Sequence, residues 1–345
     1  MHMADALISP VVGVTMLAAT AGVAAYSVKK LKDNIDEQKI PLMGVMGAFI
    51  FAVQMINFAI PGTGSSGHLG GGMLLAILLG PYAGFLTMIS ILSIQALFFA
   101  DGGLLALGAN SFNLGFFTCF VGYLLIYRPI MSKGYSSSRL FMAIMLSAVI
   151  ALQLGAFSVV LQTLFSGKTE LPFTSFVLLM QPIHFAIGII EGLVTATVVS
   201  FVWKSHPELI ERTAGNGKSS VFSIKKTIAA IAIAAVLIGA VFSWFASEHP
   251  DGLEWAIYKV SGTEELEAQN GIHKTLESIQ EKVAFLPDYS FKSSVDNSQE
   301  ESEVSASIVD AGTSIAGLVG GLITLLAAGL LGYCLHTVKR RRQRI

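Results

Sequence analysis

Charged residues crowd into positions 29–39, 128–139, 204–226, 248–303 and 339–344, with long apolar stretches between them. A hydrophobic run of about 20 residues is long enough to cross a bilayer core of roughly 30 Å, and several such runs in one chain cannot all be buried soluble helices. The pattern therefore predicts an all-α membrane protein. The expected spans are 9–28, 41–60, 69–80, 82–100, 104–126, 140–166, 174–203, 226–246 and 311–336, about nine crossings in all. The third is the shortest, and its roughly 12 apolar residues also suit a re-entrant segment.

Basic residues give these spans a direction. If the N-terminus lies outside the cell, all 22 Lys and Arg fall on the cytoplasmic side except Lys168, Lys259, Lys274, Lys282 and Lys292. That is the bias of the positive-inside rule, and it puts the C-terminus in the cytoplasm. Dropping the short third span would invert everything downstream. The first thirty residues do not resemble a cleaved secretory signal. His2 and Asp5 precede the apolar run and Lys29, Lys30 and Lys32 follow it, which is the reverse of the usual charge order.

Composition supports the same class: 53% of residues are hydrophobic and 13% charged, against roughly 25% charged in a soluble domain. A net charge of −1 gives no reason to expect a nucleic-acid partner. Cys119 and Cys334 both fall in apolar segments without a Cys-x-x-Cys motif, so no disulfide framework is expected.

A composition shift divides the chain. Residues 1–205 form a first membrane domain, and 206–225, with Gly215-Asn216-Gly217, form a polar cytoplasmic linker. Residues 226–345 make a second module of two spans around an acidic extracytoplasmic loop, 247–310, whose part Ser290–Ser307 is expected to be disordered. No internal repeat is visible, which counts against a large secondary transporter.

The candidate chemistry begins at Met1-His2-Met3. With histidine second, the Met1 amine, the backbone nitrogen of His2 and the His2 imidazole can converge on one ion through two fused chelate rings. Planar nitrogen sets suit Ni²⁺ or Cu²⁺ and leave a fourth position open. A chance histidine is the plain alternative. Gly62–Gly72 joins the second and third spans on the same predicted side, with His68 in its middle. Neutral imidazole is the commonest metal ligand, so His68 could fill the open position; otherwise it is a solvated loop residue. His184 and Glu191 lie inside a predicted span, seven residues apart on one helix face. Ionisable groups at that depth suggest transport or function, and equally a structural role in hydrogen bonding a neighbouring helix. Asn110 and Asn113 are candidate donors orienting His2 or His68, and Gln54 and Asn57 the same, with helix packing as the simpler role.

Other motifs fail. Ala214-Gly215-Asn216-Gly217-Lys218-Ser219 resembles a phosphate loop, but Arg212 stands where its first glycine belongs and no strand precedes it. Neither a Ser–His–Asp arrangement nor His-Glu-x-x-His is present, so no enzymatic activity is expected. The methionines read as packing residues and Arg340–Arg342 as a topology anchor.

Met1-His2-Met3-Ala4-Asp5, Gly67-His68-Leu69-Gly70-Gly71-Gly72 and His184–Gly192 together resemble the CbiM/NikM family over about residues 1–205. These are the substrate-binding (S) components of energy-coupling-factor transporters for cobalt and nickel. The resemblance implies a seven-helix bundle whose N-terminus tucks inward, with Met1, His2 and His68 as metal ligands. The second unit, with Pro250-Asp251-Gly252-Leu253-Glu254, resembles the small NikN/PDGLE-type subunit, adding two transmembrane helices. The pentapeptide reads as a turn capping the outer end of the eighth span.

By the same resemblance the chain needs a transmembrane coupling (T) component and a pair of cytoplasmic ATP-binding cassette ATPases. It would work in a prokaryotic cell membrane and hold Ni²⁺ or Co²⁺ as cargo rather than as a cofactor. The alternatives are a proton-coupled divalent-metal carrier working through His184 and Glu191, an intramembrane enzyme using that pair as acid and base, and a purely structural subunit.

Overall fold

The computed structural model describes residues 2–34, 39–213, 225–264, 266, 271–291 and 311–342. Met1, the Gly215-Asn216-Gly217 linker with its phosphate-loop-like run, and loop residues 292–307 lie outside the described residues.

Helix α1 spans Pro10–Asn34 and α2 spans Lys39–Gln54. A two-stranded antiparallel hairpin follows, β1 (Phe58–Ile60) and β2 (Ser65–Gly67), with Phe58 opposite Gly67. Next come α3 (Gly72–Leu79), α4 (Pro81–Phe98) and α5 (Leu107–Met131), the last widened to a π-helix over Phe112–Tyr127. The long pair α6 (Ser137–Phe165) and α7 (Phe173–Ser205) pack along each other, and short α8 (Pro207–Thr213) follows. The second unit comprises α9 (Lys225–Ala240), α10 (Gly252–Ser261), α11 (Ile272–Val283) and α12 (Ala311–Arg342). Among the described residues, α1, α4, α5, α6, α7 and α12 are long and apolar enough to cross a membrane. Helices α9 and α12 both lie against α2, which joins the two units through the membrane layer.

The predicted third span is only partly helical. Only eight residues, Gly72–Leu79, are helical, and all eight are buried. At about 1.5 Å per residue they cover less than half of a roughly 30 Å core. The remaining depth is covered by the glycine-rich chain descending from β2. Gly71, with φ 72°, turns the chain into α3, and an added Cβ there would strike Ile50. At the far end Leu79 O accepts from Lys39 Nζ at 3.2 Å, level with the start of α2. Gly80 then reverses the chain at φ 83°, and Pro81 starts α4 with its φ already helical.

Irregular backbone at membrane depth survives only where its polar groups are satisfied inside the protein. Here Glu191, midway along α7, receives Gly70 N on one carboxyl oxygen at 3.0 Å and Gly71 N on the other at 3.1 Å. Gln54 Nε2 donates to Gly70 O at 2.8 Å, and Gln95 Nε2 donates to Gln54 Oε1 at 2.8 Å. Buried polar residues of three helices thus support a strip of chain that lacks helical hydrogen bonds.

The start of the linker is helical, and the Pro-Asp-Gly turn sits elsewhere than expected. Residues 207–213 form α8, whose Leu209 and Ile210 are buried against the base of α3. The Pro-Asp-Gly turn does not cap the eighth span; Asp251 caps α10 within the loop, accepting from Leu253 N at 2.7 Å and Glu254 N at 2.9 Å, while Glu254 accepts from Asp251 N. This Asp-x-x-Glu pair is a capping box, a local solution to the free N–H groups of a helix start.

Candidate metal centre

The N-terminal segment enters the end of the bundle from which β1 and β2 project. Asp5–Leu7 make a single 3-10 turn, and Met3 is completely buried. Asn110 on α5 clamps the Met3 backbone at both ends: Met3 N donates to Oδ1 at 2.8 Å, and Nδ2 donates to Met3 O at 3.1 Å. Gly103 N also donates to Met3 O, at 2.9 Å, and Asp5 Oδ1 accepts from Ala106 N at 3.0 Å. These bonds fix the chain on the C-terminal side of His2.

His2 and His68 meet there. Their rings stack with centroids 4.8 Å apart and planes 12° from parallel. His2 Nδ1 lies 2.9 Å from Asp101 Oδ1, and its Nε2 is buried without a hydrogen-bond partner. Asp101 also accepts from the Tyr289 hydroxyl. His68, just after β2 on the glycine-rich chain, has Nε2 3.9 Å from Asp251 Oδ2. Burial pushes the His68 imidazole down to about 3, with His2 beside it adding to the effect, so the ring stays neutral and able to coordinate over the physiological range. Burial disfavours the Asp101 carboxylate, but His2 and the Tyr289 hydroxyl outweigh it and bring the group to about 2. It is an anion beside the two rings.

The remaining candidates separate by role. His184 is 1% exposed, its Nδ1 2.8 Å from Met180 O, and its Nε2 has no hydrogen-bond partner. It lines a small cavity of about 10 Å³ together with His68 and Asp251. Glu191 instead holds the glycine-rich chain ahead of α3. The asparagines bond elsewhere: Asn110 to the Met3 backbone, and Asn113 to Gln162 through two bonds at 2.8 and 2.9 Å. Gln54 supports Gly70, and Asn57 O accepts from Ser247 N at 2.7 Å. Among the described residues, no group of three His, Cys, Asp or Glu side chains could hold a metal ion by side chains alone.

Asp101 and Asp251 carry no signal in the sequence that ties them to the histidines. Asp101 sits in a short Gly-rich turn, and Asp251 reaches His68 only because the second unit folds over the first. Ser66 N donates to Pro250 O at 2.8 Å, and Trp255 Nε1 to Thr63 O at 3.0 Å. His273 Nε2 lies 2.9 Å from Ile8 O, and Gln280 Nε2 donates to Ala96 O and Gly102 O, each at 2.8 Å. Helices α10 and α11 thereby roof the N-terminal segment and the His68 loop.

Residues 2–209 match the family model described as the cobalt uptake substrate-specific transmembrane region, and residues 225–337 match the PDGLE domain. A protein of Archaeoglobus fulgidus named "Putative fused nickel transport protein NikMN" is 37% identical over 244 residues, which cover 69% of this chain and 79% of that protein. The cobalt transport protein CbiM of Sorangium cellulosum is 30% identical, with 50% of this chain and 76% of that protein covered. A solved structure of a truncated transition metal transporter superposes with a TM-score of 0.53 at 30% identity, covering 60% of this chain and all of that one.

Proposed function

The chain belongs to the family of cobalt uptake substrate-specific transmembrane regions, and from that premise we propose that it captures Ni²⁺ or Co²⁺ for an ATP-driven energy-coupling-factor transporter. It is a multi-pass membrane protein of metal transport, not an enzyme. The observation that carries the reading is the stacked His2–His68 pair, buried at the end of the bundle where the N-terminal segment is clamped.

In this reading the Met1 amine, the His2 backbone nitrogen and His2 Nδ1 chelate the ion, and His68 Nε2 closes the square. The donor set fits: His68 is neutral, and nitrogen donors in a plane favour nickel over harder cations. His2 Nδ1 must leave Asp101 to reach the ion. The Asp101 carboxylate then remains beside a doubly charged cargo, where it offsets the cost of burying that charge. Coordination by an amide nitrogen displaces a proton, so affinity falls as pH falls.

Capture takes place on the extracytoplasmic face, with the C-terminus in the cytoplasm, in a prokaryotic cell membrane. Release then requires a T component and a pair of ATP-binding cassette ATPases; the chain itself carries no nucleotide-binding motif. A proton-coupled carrier working through His184 and Glu191 is less well supported, because both carboxyl oxygens of Glu191 are committed to Gly70 and Gly71. The test is to block the N-terminus. Acetylating the Met1 amine or adding residues before it abolishes Ni²⁺ binding by the purified chain. Native affinity in the blocked protein would overturn the chelate.

A further inference from the structure

The two units enclose more than the histidine pair. Between the roof of the second unit and the N-terminal segment lies a cavity of about 220 Å³. Glu254, Glu264 and Glu277 face it from the roof, Asp5 and Asp101 from the first unit, and no Lys or Arg is among its described lining residues. Acidic groups alone would define only a solvated surface. Here, however, His2 also lines the cavity, with a side chain 8% exposed and a buried Nε2 that makes no hydrogen bond.

A second, far smaller cavity of about 10 Å³ lies deeper, between His68 and His184. His184 Nε2 is likewise buried without a hydrogen-bond partner. Among the described residues, Asp251 alone lines both cavities.

The two volumes differ in what they admit. Water takes about 30 Å³ per molecule in the liquid, so the outer cavity accommodates a divalent ion with its full shell. The inner one, which touches His68 but not His2, takes roughly a single water-sized sphere, so a hydrated ion goes no deeper than the outer cavity. We propose that the outer cavity is a docking vestibule for the hydrated divalent cation, and that Asp251 of the second unit passes the ion to the histidine site. The vestibule holds the ion through its water shell, which agrees with the absence, among the described residues, of three side chains close enough to ligate it directly. Asp251 is suited to the transfer because its Oδ1 is anchored as the cap of α10 while its Oδ2 points to His68. The second unit therefore contributes the entrance of the metal site in addition to packing against it.

This inference rests on the proposed metal site, and the two fail differently. Binding of Ni²⁺ alone to the purified full chain is followed by stopped flow, giving separate association and dissociation rates. Glu264 and Glu277 are exposed rim residues, so Glu264→Gln/Glu277→Gln is not expected to disturb folding. Acidic clefts raise association rates by about 10- to 1,000-fold in total. The double variant should therefore associate about 3- to 10-fold more slowly, with a weaker dependence on salt and an unchanged dissociation rate. Glu170→Gln, on the α6–α7 turn outside the vestibule, should leave both rates as they are. Asp251→Asn keeps an oxygen that caps α10 and should slow association further than the rim variant does. An unchanged association rate in both the rim and Asp251 variants, in a chain that binds Ni²⁺ normally, overturns the vestibule while sparing the site. Failure of the native chain to bind Ni²⁺ overturns both.

Discussion

Glu191 offers the clearest link between packing at membrane depth and function at the bundle end. Its two oxygens receive Gly70 N and Gly71 N at 3.0 and 3.1 Å, two and three residues after His68 in sequence. Glu191→Gln keeps one acceptor and turns an amide NH₂ toward the other backbone N–H. One buried donor is then unsatisfied, at a cost of about 1–3 kcal/mol. Glu191→Ala leaves both unsatisfied, about 2–6 kcal/mol if the costs add. If binding requires the native course of this chain, the loss appears in metal affinity, as about 5- to 150-fold for Glu191→Gln. Ni²⁺ affinity is measured by competition titration in detergent, with thermal unfolding of the same samples to separate local from global loss. A folded Glu191→Ala protein that binds Ni²⁺ within about twofold of the native chain would refute the reasoning, because a free loop would then serve as well as a held one.

Asn110→Ala removes both bonds that clamp Met3 and leaves a buried N–H without its acceptor, worth about 1–3 kcal/mol. Ni²⁺ affinity should fall about tenfold, and hydrogen exchange at Met3 and Ala4 should rise. Unchanged affinity would mean that the clamp does not preset the N-terminus. Glu254 predicts a pH effect on stability. Burial, and then the neighbouring Asp251 carboxylate, raise its carboxyl from an ordinary 4.5 to about 7. The folded state therefore holds the proton more tightly than the unfolded one. Its contribution is fully present below about pH 4.5 and is lost as pH rises through 7. Glu254→Gln, which keeps an acceptor for Asp251 N, should raise stability at pH 8 by about 1–3 kcal/mol and flatten the pH profile between those values. A profile identical to the native one would contradict the shift.

Much of this architecture was legible in the residues because lipid imposes simple demands. Apolar runs of sufficient length located α1, α4, α5, α6, α7 and α12, although α1, α5 and α12 run further at their C-terminal ends than expected. The helix of the third predicted span proved short because glycines at 70 to 72 give up helical bonds, and only the position of Glu191 explains how that is tolerated. Sequence spacing put Glu191 and His184 on one face, but could not say that one would hold backbone and the other line a cavity. His2 and His68 were legible as a pair by chemical complementarity. Asp101 and Asp251 were not, because short surface carboxylates are common and their proximity to the histidines depends on tertiary folding alone. The asparagines were expected near the imidazoles. Asn110 acts one residue away, through the backbone, where a periodic pattern leaves no trace.

The most direct test of the metal site is the nickel and cobalt content of the purified chain with its native N-terminus, measured beside His2→Ala and His68→Ala. The chelate predicts about one ion per chain in the native protein and a loss of metal in both variants, with the fold retained. Metal retained in both variants, or absent from all three proteins after loading, would contradict it.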